Sequence, residues 1–215
     1  MLLLSLALLA ACTTPVPDAS TESSEAANTI SVPQEQDLSG YSKAYFASGC
    51  FWCVEEVFES VKGVAEAVSG YAGGTEKDPT YQQVGSGATG HAEAVLVYYD
   101  PEVVSYATLV KVFFASQDPT TKNRQGPDRG AQYRSIAFYR NAEEKATIEA
   151  EIKALNASGK YNAPIVTEVT AFEQFWPAED YHQNYVRLHP NESYVRSVSI
   201  PRFERFKQVM PEVLK

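Results

Sequence analysis

Along residues 44–170 the apolar positions switch between strand-like and helix-like spacing, and the order of those switches limits the folds open to this chain. An extended apolar stretch covers 44–47. Helical spacing covers 50–61, with positions 54, 57, 58 and 61 on one face. Strand-like runs at 64–71 and 92–99 come next. A helix then spans 106–116, burying Leu109, Val110, Phe113 and Phe114, and a strand spans 135–139. This β-α-β-β-α-β order is the signature of a split β-α-β, ferredoxin-like core. A polar-faced helix at 142–158, a strand at 165–170 and a helix near 178–188 extend it, and the tail beyond has low regularity. The expected fold is α+β: a two-layer sandwich whose antiparallel-rich sheet is covered by helices on one face. Two long loops, 72–90 and 117–132, carry Tyr, His, Asp and Arg among glycines. Loops of that length in a compact domain are usually functional.

Gly49-Cys50-Phe51-Trp52-Cys53 falls where the first strand meets the first helix. Unpaired N–H groups and the positive end of the helix dipole favour a thiolate there. The thiolate is the reactive form of cysteine, so Cys50 is a candidate nucleophile. A pair of buried, inert cysteines is the bland alternative.

The 215 residues, 44% of them hydrophobic, suffice for one compact domain. A net charge of −9 argues against nucleic acid or anionic lipid as a partner. The remaining cysteine, Cys12, ends an apolar run at 2–11 that is too short to span a bilayer. That run reads as the core of a secretory signal, and its end, Leu9-Ala10-Ala11-Cys12, resembles a bacterial lipobox. The resemblance implies cleavage before Cys12 and lipidation of its sulfur, although no Lys or Arg precedes the run. Residues 13–39 are rich in Ser, Thr, Pro, Glu and Ala and read as a flexible tether. The expected organisation is therefore signal and lipidation cysteine at 1–12, tether at 13–39 and folded domain at 40–215. Such a protein would be anchored in the cell envelope, facing the periplasmic side.

Five segments stand out in order: Gly49-Cys50-Phe51-Trp52, Gly70-Tyr71-Ala72-Gly73-Gly74, Pro79-Thr80-Tyr81-Gln82-Gln83-Val84, Gly90-His91-Ala92-Glu93-Ala94-Val95 and Asp128-Arg129-Gly130-Ala131-Gln132-Tyr133-Arg134-Ser135. Together they resemble the A-type peptide methionine sulfoxide reductases, which reverse methionine oxidation. The resemblance runs from about Lys43 to Asn184. It implies a site lined by Cys50, Phe51, Trp52, Tyr81, Glu93, Asp128 and Tyr133, with Asp128 helping to fix the substrate. It also implies specificity for the S epimer, on oxidised proteins and free methionine sulfoxide.

The residue chemistry fits that activity. Reducing a sulfoxide takes a nucleophile at sulfur, a proton donor for oxygen and an apolar slot for the methyl group. Cys50 is the nucleophile. Glu93, at the start of an apolar strand, is the candidate acid, because a carboxyl held in such a site keeps its proton. Tyr81 and Tyr133 offer phenolic donors to the same oxygen, and Phe51 and Trp52 wall the slot. Taken singly, Glu93 also reads as a solvated strand-end carboxylate, the tyrosines as half-buried packing, and Phe51 and Trp52 as core. His91, beside a turn glycine, reads as a hydrogen-bonding brace. Trp176, His182 and Tyr185 read as packing behind the site.

Some relatives carry a resolving cysteine in the loop after Tyr81 or near the C-terminus. This chain has Gly85 in that loop and no cysteine after Glu192. Cys53, one helical turn from Cys50, is then the resolving thiol. It condenses with the Cys50 sulfenic acid to a disulfide that an external dithiol such as thioredoxin reduces. No metal or prosthetic cofactor is expected, and the protein is expected to be a monomer. A thioredoxin-like thiol-disulfide oxidoreductase is the alternative, since a C-x-x-C at a helix start is also its signal; that fold gives no reason for the Tyr81, Glu93 and Tyr133 segments.

Overall fold

The computed structural model describes residues 37–215. The lipobox-like Leu9–Cys12 and positions 13–36 of the expected tether lie outside the described residues. A turn closed by the Tyr41 N–H on the Leu38 carbonyl at 3.1 Å precedes the first strand. In chain order the regular elements are β1 (Ser42–Ser48), α1 (Phe51–Glu59), β2 (Val64–Ala72), α2 (Tyr81–Gly85), β3 (Ala92–Tyr99) and α3 (Tyr106–Ala115). A two-residue hairpin follows, β4 (Arg124–Gln125) with β5 (Asp128–Arg129), then β6 (Ser135–Tyr139), α4 (Ala142–Ala157), β7 (Glu168–Ala171), β8 (Phe175–Pro177), α5 (Tyr185–Leu188) and α6 (Ile200–Val209).

The main sheet has six strands in the order β7-β6-β1-β3-β2-β8. All its pairings are antiparallel except β6 with β7, so the sheet is mixed. β3 is central and almost wholly buried, which is why its sequence, Ala-Glu-Ala-Val-Leu-Val-Tyr-Tyr, lacks strict polar alternation. Its Val95 and Val97 join Phe46, Phe58, Phe113 and Ile148 in the core beneath α1, α3 and α4. Its Ala92, Ala94 and Leu96 face the other way, onto a smaller apolar layer with Tyr45, Ile136, Phe138 and Phe175. The fold class is α+β, with helices gathered on one face of the sheet.

Several boundaries differ from the sequence reading. The strand expected at 165–170 is ordered as β7 only from Glu168. The helix expected near 178–188 is broken into a 3₁₀ turn at Asp180–His182 and the short α5, because Asn184 between them adopts the left-handed conformation at φ +55°. The supposedly irregular tail is regular: a π-helical turn at Val195–Ser199 runs into α6. The chain end then returns to α1, where the Lys62 N–H meets the Val213 carbonyl at 2.8 Å and the Lys215 N–H meets that of Ser60 at 2.9 Å. The loop at 72–90 contains α2, whose start carries a capping box between Thr80 and Gln83.

Candidate active site

β1 ends at Ser48, and Gly49 turns the backbone at φ +80° so that Cys50 becomes the N-cap of α1. Only glycine fits this turn, because a Cβ there would collide with the Gln125 side chain as well as strain the backbone. The Cys50 carbonyl accepts the Cys53 N–H at 3.2 Å, opening the first helical turn. Both thiols are free; Cys50 is 6% exposed and Cys53 2%.

The expected thiolate at Cys50 is corrected by its surroundings. Burial pushes this thiol well above its ordinary range, and the adjoining Cys53 and Glu93 push the same way. The helix end does not overcome the loss of water. Cys53 moves in the opposite direction, down to about 6, because Cys50 donates a hydrogen bond to it; the Arg202 charge and Ser199 assist. Its Sγ lies 3.2 Å from the Ser199 hydroxyl. The two thiols thus shift in opposite directions, Cys50 up and Cys53 down.

Glu93 stands opposite Tyr71 at the start of β3, on the helix-facing side with Val95. It is 2% exposed, and burial raises its carboxyl to about 8, with the nearby Asp128 adding to the effect. The Phe51 N–H donates to its Oε2 at 2.9 Å, which fixes the carboxyl beside the Cys50 turn. At neutral pH this carboxyl holds a proton, and the alternative of a solvated strand-end carboxylate is overturned.

Cys50 and Glu93 open onto a cavity of about 380 Å³, whose wall also includes Phe51, Trp52, Tyr81, Asp128 and Tyr133. Of the site residues expected in the folded domain, Cys53 alone does not line it. Phe51 packs parallel to Tyr81 at 6.1 Å between ring centres, and Trp52 stacks on Tyr185 at 3.7 Å. The Tyr81 phenol is raised to about 12 by burial and by Glu93, and Tyr133 is raised for the same reasons, so both remain proton donors. The Tyr81 N–H is held by Glu179 Oε1 at 3.0 Å, and the same carboxylate accepts the Tyr71 hydroxyl at 2.8 Å.

Sequence reasoning missed part of this wall. Tyr185, read as packing, lines the cavity, as do Glu192 and Tyr194 from the tail. The Tyr194 hydroxyl donates to Asp128 Oδ2 at 2.6 Å, tying the tail to the second long loop. His182 stays behind the wall, accepting the Trp52 indole N–H at 3.1 Å. His91 is the expected brace: it accepts the Gly74 N–H at 3.2 Å and bonds the Glu76 carbonyl at 2.8 Å. Among the described residues no three His, Cys, Asp or Glu side chains gather as a metal site.

The family model described as peptide methionine sulfoxide reductase matches residues 42–213. The chain is 48% identical over 171 residues to peptide methionine sulfoxide reductase MsrA of Haloquadratum walsbyi, an alignment covering 80% of this chain and 97% of that protein. It is 55% identical over 146 residues to MsrA of Methanosarcina acetivorans, covering 68% and 78% of the two chains. Among solved structures, reduced Mxr1 of Saccharomyces cerevisiae superposes with a TM-score of 0.65 at 33% identity, covering 74% of this chain and 91% of that one. Methionine sulfoxide reductase A of Corynebacterium diphtheriae gives 0.64 at 33% identity, covering 71% and 77%. With residues 42–213 matched by the family model and four of the five segments contributing to one cavity, the chain belongs to the peptide methionine sulfoxide reductase family.

Proposed function

We propose that this enzyme, a thiol-dependent reductase of methionine sulfoxide in protein repair, works through Cys50, Glu93 and Cys53 in the following sequence. The observation that carries this reading is a buried Glu93, its carboxyl pushed up to about 8 by burial, and a buried Cys50 facing one cavity with two phenols. The sulfoxide methyl packs against Phe51 and Trp52, and its oxygen meets Glu93, Tyr81 and Tyr133. As Cys50 Sγ attacks the sulfoxide sulfur, its proton passes to the Cys53 thiolate and the Glu93 proton passes to oxygen. The methionine S–O bond then breaks as the hydroxyl transfers to Cys50 Sγ, leaving methionine and a Cys50 sulfenic acid. Cys53 Sγ then attacks Cys50 Sγ, the S–O bond breaks, and hydroxide takes the Cys53 proton and leaves as water. The balance is one sulfoxide, the Cys50 thiol, the Cys53 thiolate and the Glu93 proton to one methionine, one Cys50–Cys53 disulfide, one water and an ionised Glu93, which takes up a proton from solvent before the next turnover. An external dithiol of the thioredoxin class restores both thiols by exchange.

The S epimer on proteins and free methionine sulfoxide is the proposed substrate. Turnover of separated S and R epimers with dithiothreitol tests this. Activity on the S epimer that Cys50→Ser abolishes is expected, and turnover by Cys50→Ser within tenfold of wild type would refute it. The order β6-β1-β3-β2, with β3 between β1 and β2, supports reading the core as a ferredoxin-like split β-α-β unit. The proposed organisation keeps the catalytic domain at 40–215 on the 13–39 tether, anchored in the envelope through Cys12; the lipobox-like Leu9-Ala10-Ala11-Cys12 supports it.

A further inference from the structure

The Trp52 side chain has one polar group, an indole N–H that can only donate. Its acceptor is Nδ1 of His182, at 3.1 Å. His182 is 2% exposed, and its ring is held on several sides. Phe51 lies 5.0 Å from it between ring centres, Tyr81 4.3 Å and Tyr181 4.2 Å. Its backbone N–H closes the 3₁₀ turn on the Glu179 carbonyl at 2.9 Å. An indole donor at Nδ1 fixes the tautomer: Nδ1 keeps its lone pair, and the ring's proton sits on Nε2. Nε2 is buried with no hydrogen-bond partner among the described residues, and the Glu179 carboxylate stands 4.0 Å away. That carboxylate accepts the Tyr71 hydroxyl and the Tyr81 N–H. One imidazole therefore touches Phe51, Trp52 and Tyr81 of the cavity wall without lining the cavity itself.

We infer that His182 is a positioning residue: its neutral imidazole holds the Trp52 indole in register and thereby sets the shape of the slot for the substrate methyl. The inference rests on the proposed slot between Phe51 and Trp52. Parallel stacking on Tyr185 resists tilting of the indole and leaves it free to slide. A hydrogen bond in the indole plane removes that freedom, because it weakens steeply once donor and acceptor lose alignment. Protonation of the imidazole undoes the arrangement. A second ring proton turns Nδ1 into a donor facing the indole donor, and draws Nε2 toward Glu179, which holds the Tyr81 N–H. Burial opposes that event and keeps the imidazole below its ordinary range, while Glu179 works the other way. The Tyr81 and Tyr181 phenols packed on the ring are raised and stay neutral. Glu55 of α1, its carboxyl raised to about 7 by burial, accepts the nearby Asn184 N–H and is the further group that titrates close by. The neutral imidazole is the working form, and the slot loosens as acid adds the proton.

The test is the concentration of methionine S-sulfoxide that half-saturates the first-turnover rate. His182→Phe keeps a ring and loses the acceptor, so this concentration should rise roughly tenfold, with the rate at saturation within about twofold of wild type. His182→Asn puts an amide oxygen in the place of Nδ1 and does not titrate; at about pH 7.5 it should stay within about threefold of wild type. Toward about pH 5 wild type should move to the value of the Phe variant, and the Asn variant should not. Because Glu55 is common to both proteins, its titration cancels in that comparison. Trp52→Phe removes the donor and should raise the concentration by itself, and adding His182→Phe to it should change the value by less than about twofold. Near-wild-type half-saturation in His182→Phe, full additivity of the two Phe substitutions, or wild type and the Asn variant tracking each other with pH would each overturn the inference and leave the slot reading standing. No effect of Trp52→Phe would instead overturn the slot reading, and the inference with it.

Discussion

Glu93 and Cys50 show how burial decides chemistry at single residues. The same loss of water that keeps the Cys50 thiol protonated also keeps the Glu93 carboxyl protonated. In the proposed reaction one effect hinders the nucleophile and the other supplies the acid, and Cys53 offsets the first by taking the Cys50 proton. Glu93→Gln retains an acceptor for the Phe51 N–H and loses the transferable proton. Its single-turnover rate should fall by ~10²-fold or more, and stopped-flow measurement with excess enzyme checks this. In wild type the rate should hold below pH 8 and fall above it, as the acid form with its value of about 8 is lost. Stability follows the same sign. Because the folded value exceeds the unfolded one, the folded state binds the extra proton between about 4.5 and 8, and stability declines as pH rises through that window. Glu93→Gln should remove this decline, so its denaturation midpoint should exceed that of wild type at pH 9 and approach it at pH 5. Equal midpoints at both pH values would contradict a buried, proton-holding carboxyl.

At the scale of elements, α2 exists to present Tyr81. Thr80 caps it, with the Gln83 N–H donating to the Thr80 hydroxyl and the Thr80 N–H to the Gln83 side chain at 2.9 Å. Thr80→Ala should cost about 1 kcal/mol in urea unfolding and raise KM through a less fixed Tyr81, leaving the Cys50 turn untouched. The Thr80-x-x-Gln83 pattern was readable in the sequence and was overlooked inside a loop of glycines. Cys50, Tyr81, Glu93 and Tyr133 were legible because each sits in a short segment whose glycines and apolar neighbours announce its setting. Glu179 and Tyr194 were not, since their partners Tyr81 and Asp128 lie 98 and 66 residues away, and only packing brings them together. β8 is three residues long, too short to show a period. The π-helical turn at Val195–Ser199 has no spacing of its own, and Glu192, whose carboxylate accepts the Tyr194 and Val195 N–H groups at 2.8 and 3.0 Å, is the local device that starts it. The reversal at Cys50 has a plain cause: helix-end electrostatics were legible in the sequence, and the depth of burial was not.

For the whole molecule, the tail that reads as irregular completes the machine. It supplies Tyr194 to the cavity of Cys50 and sets the Arg202 charge near Cys53, and so serves both thiols of the proposed cycle. The proposed anchor carries its own prediction: Cys12→Ala should release the protein from membranes or block its processing in cell fractionation. The central claim, that Cys50 performs the reduction and Cys53 alone resolves it, is tested most directly by single turnover of Cys53→Ser with methionine S-sulfoxide and no added reductant. The account predicts about one equivalent of methionine per enzyme, formed more slowly than in wild type, and a Cys50 sulfenic acid that dimedone traps. Continued turnover of that variant with thioredoxin at the wild-type rate would contradict it, because the reductant would then be resolving Cys50 without Cys53.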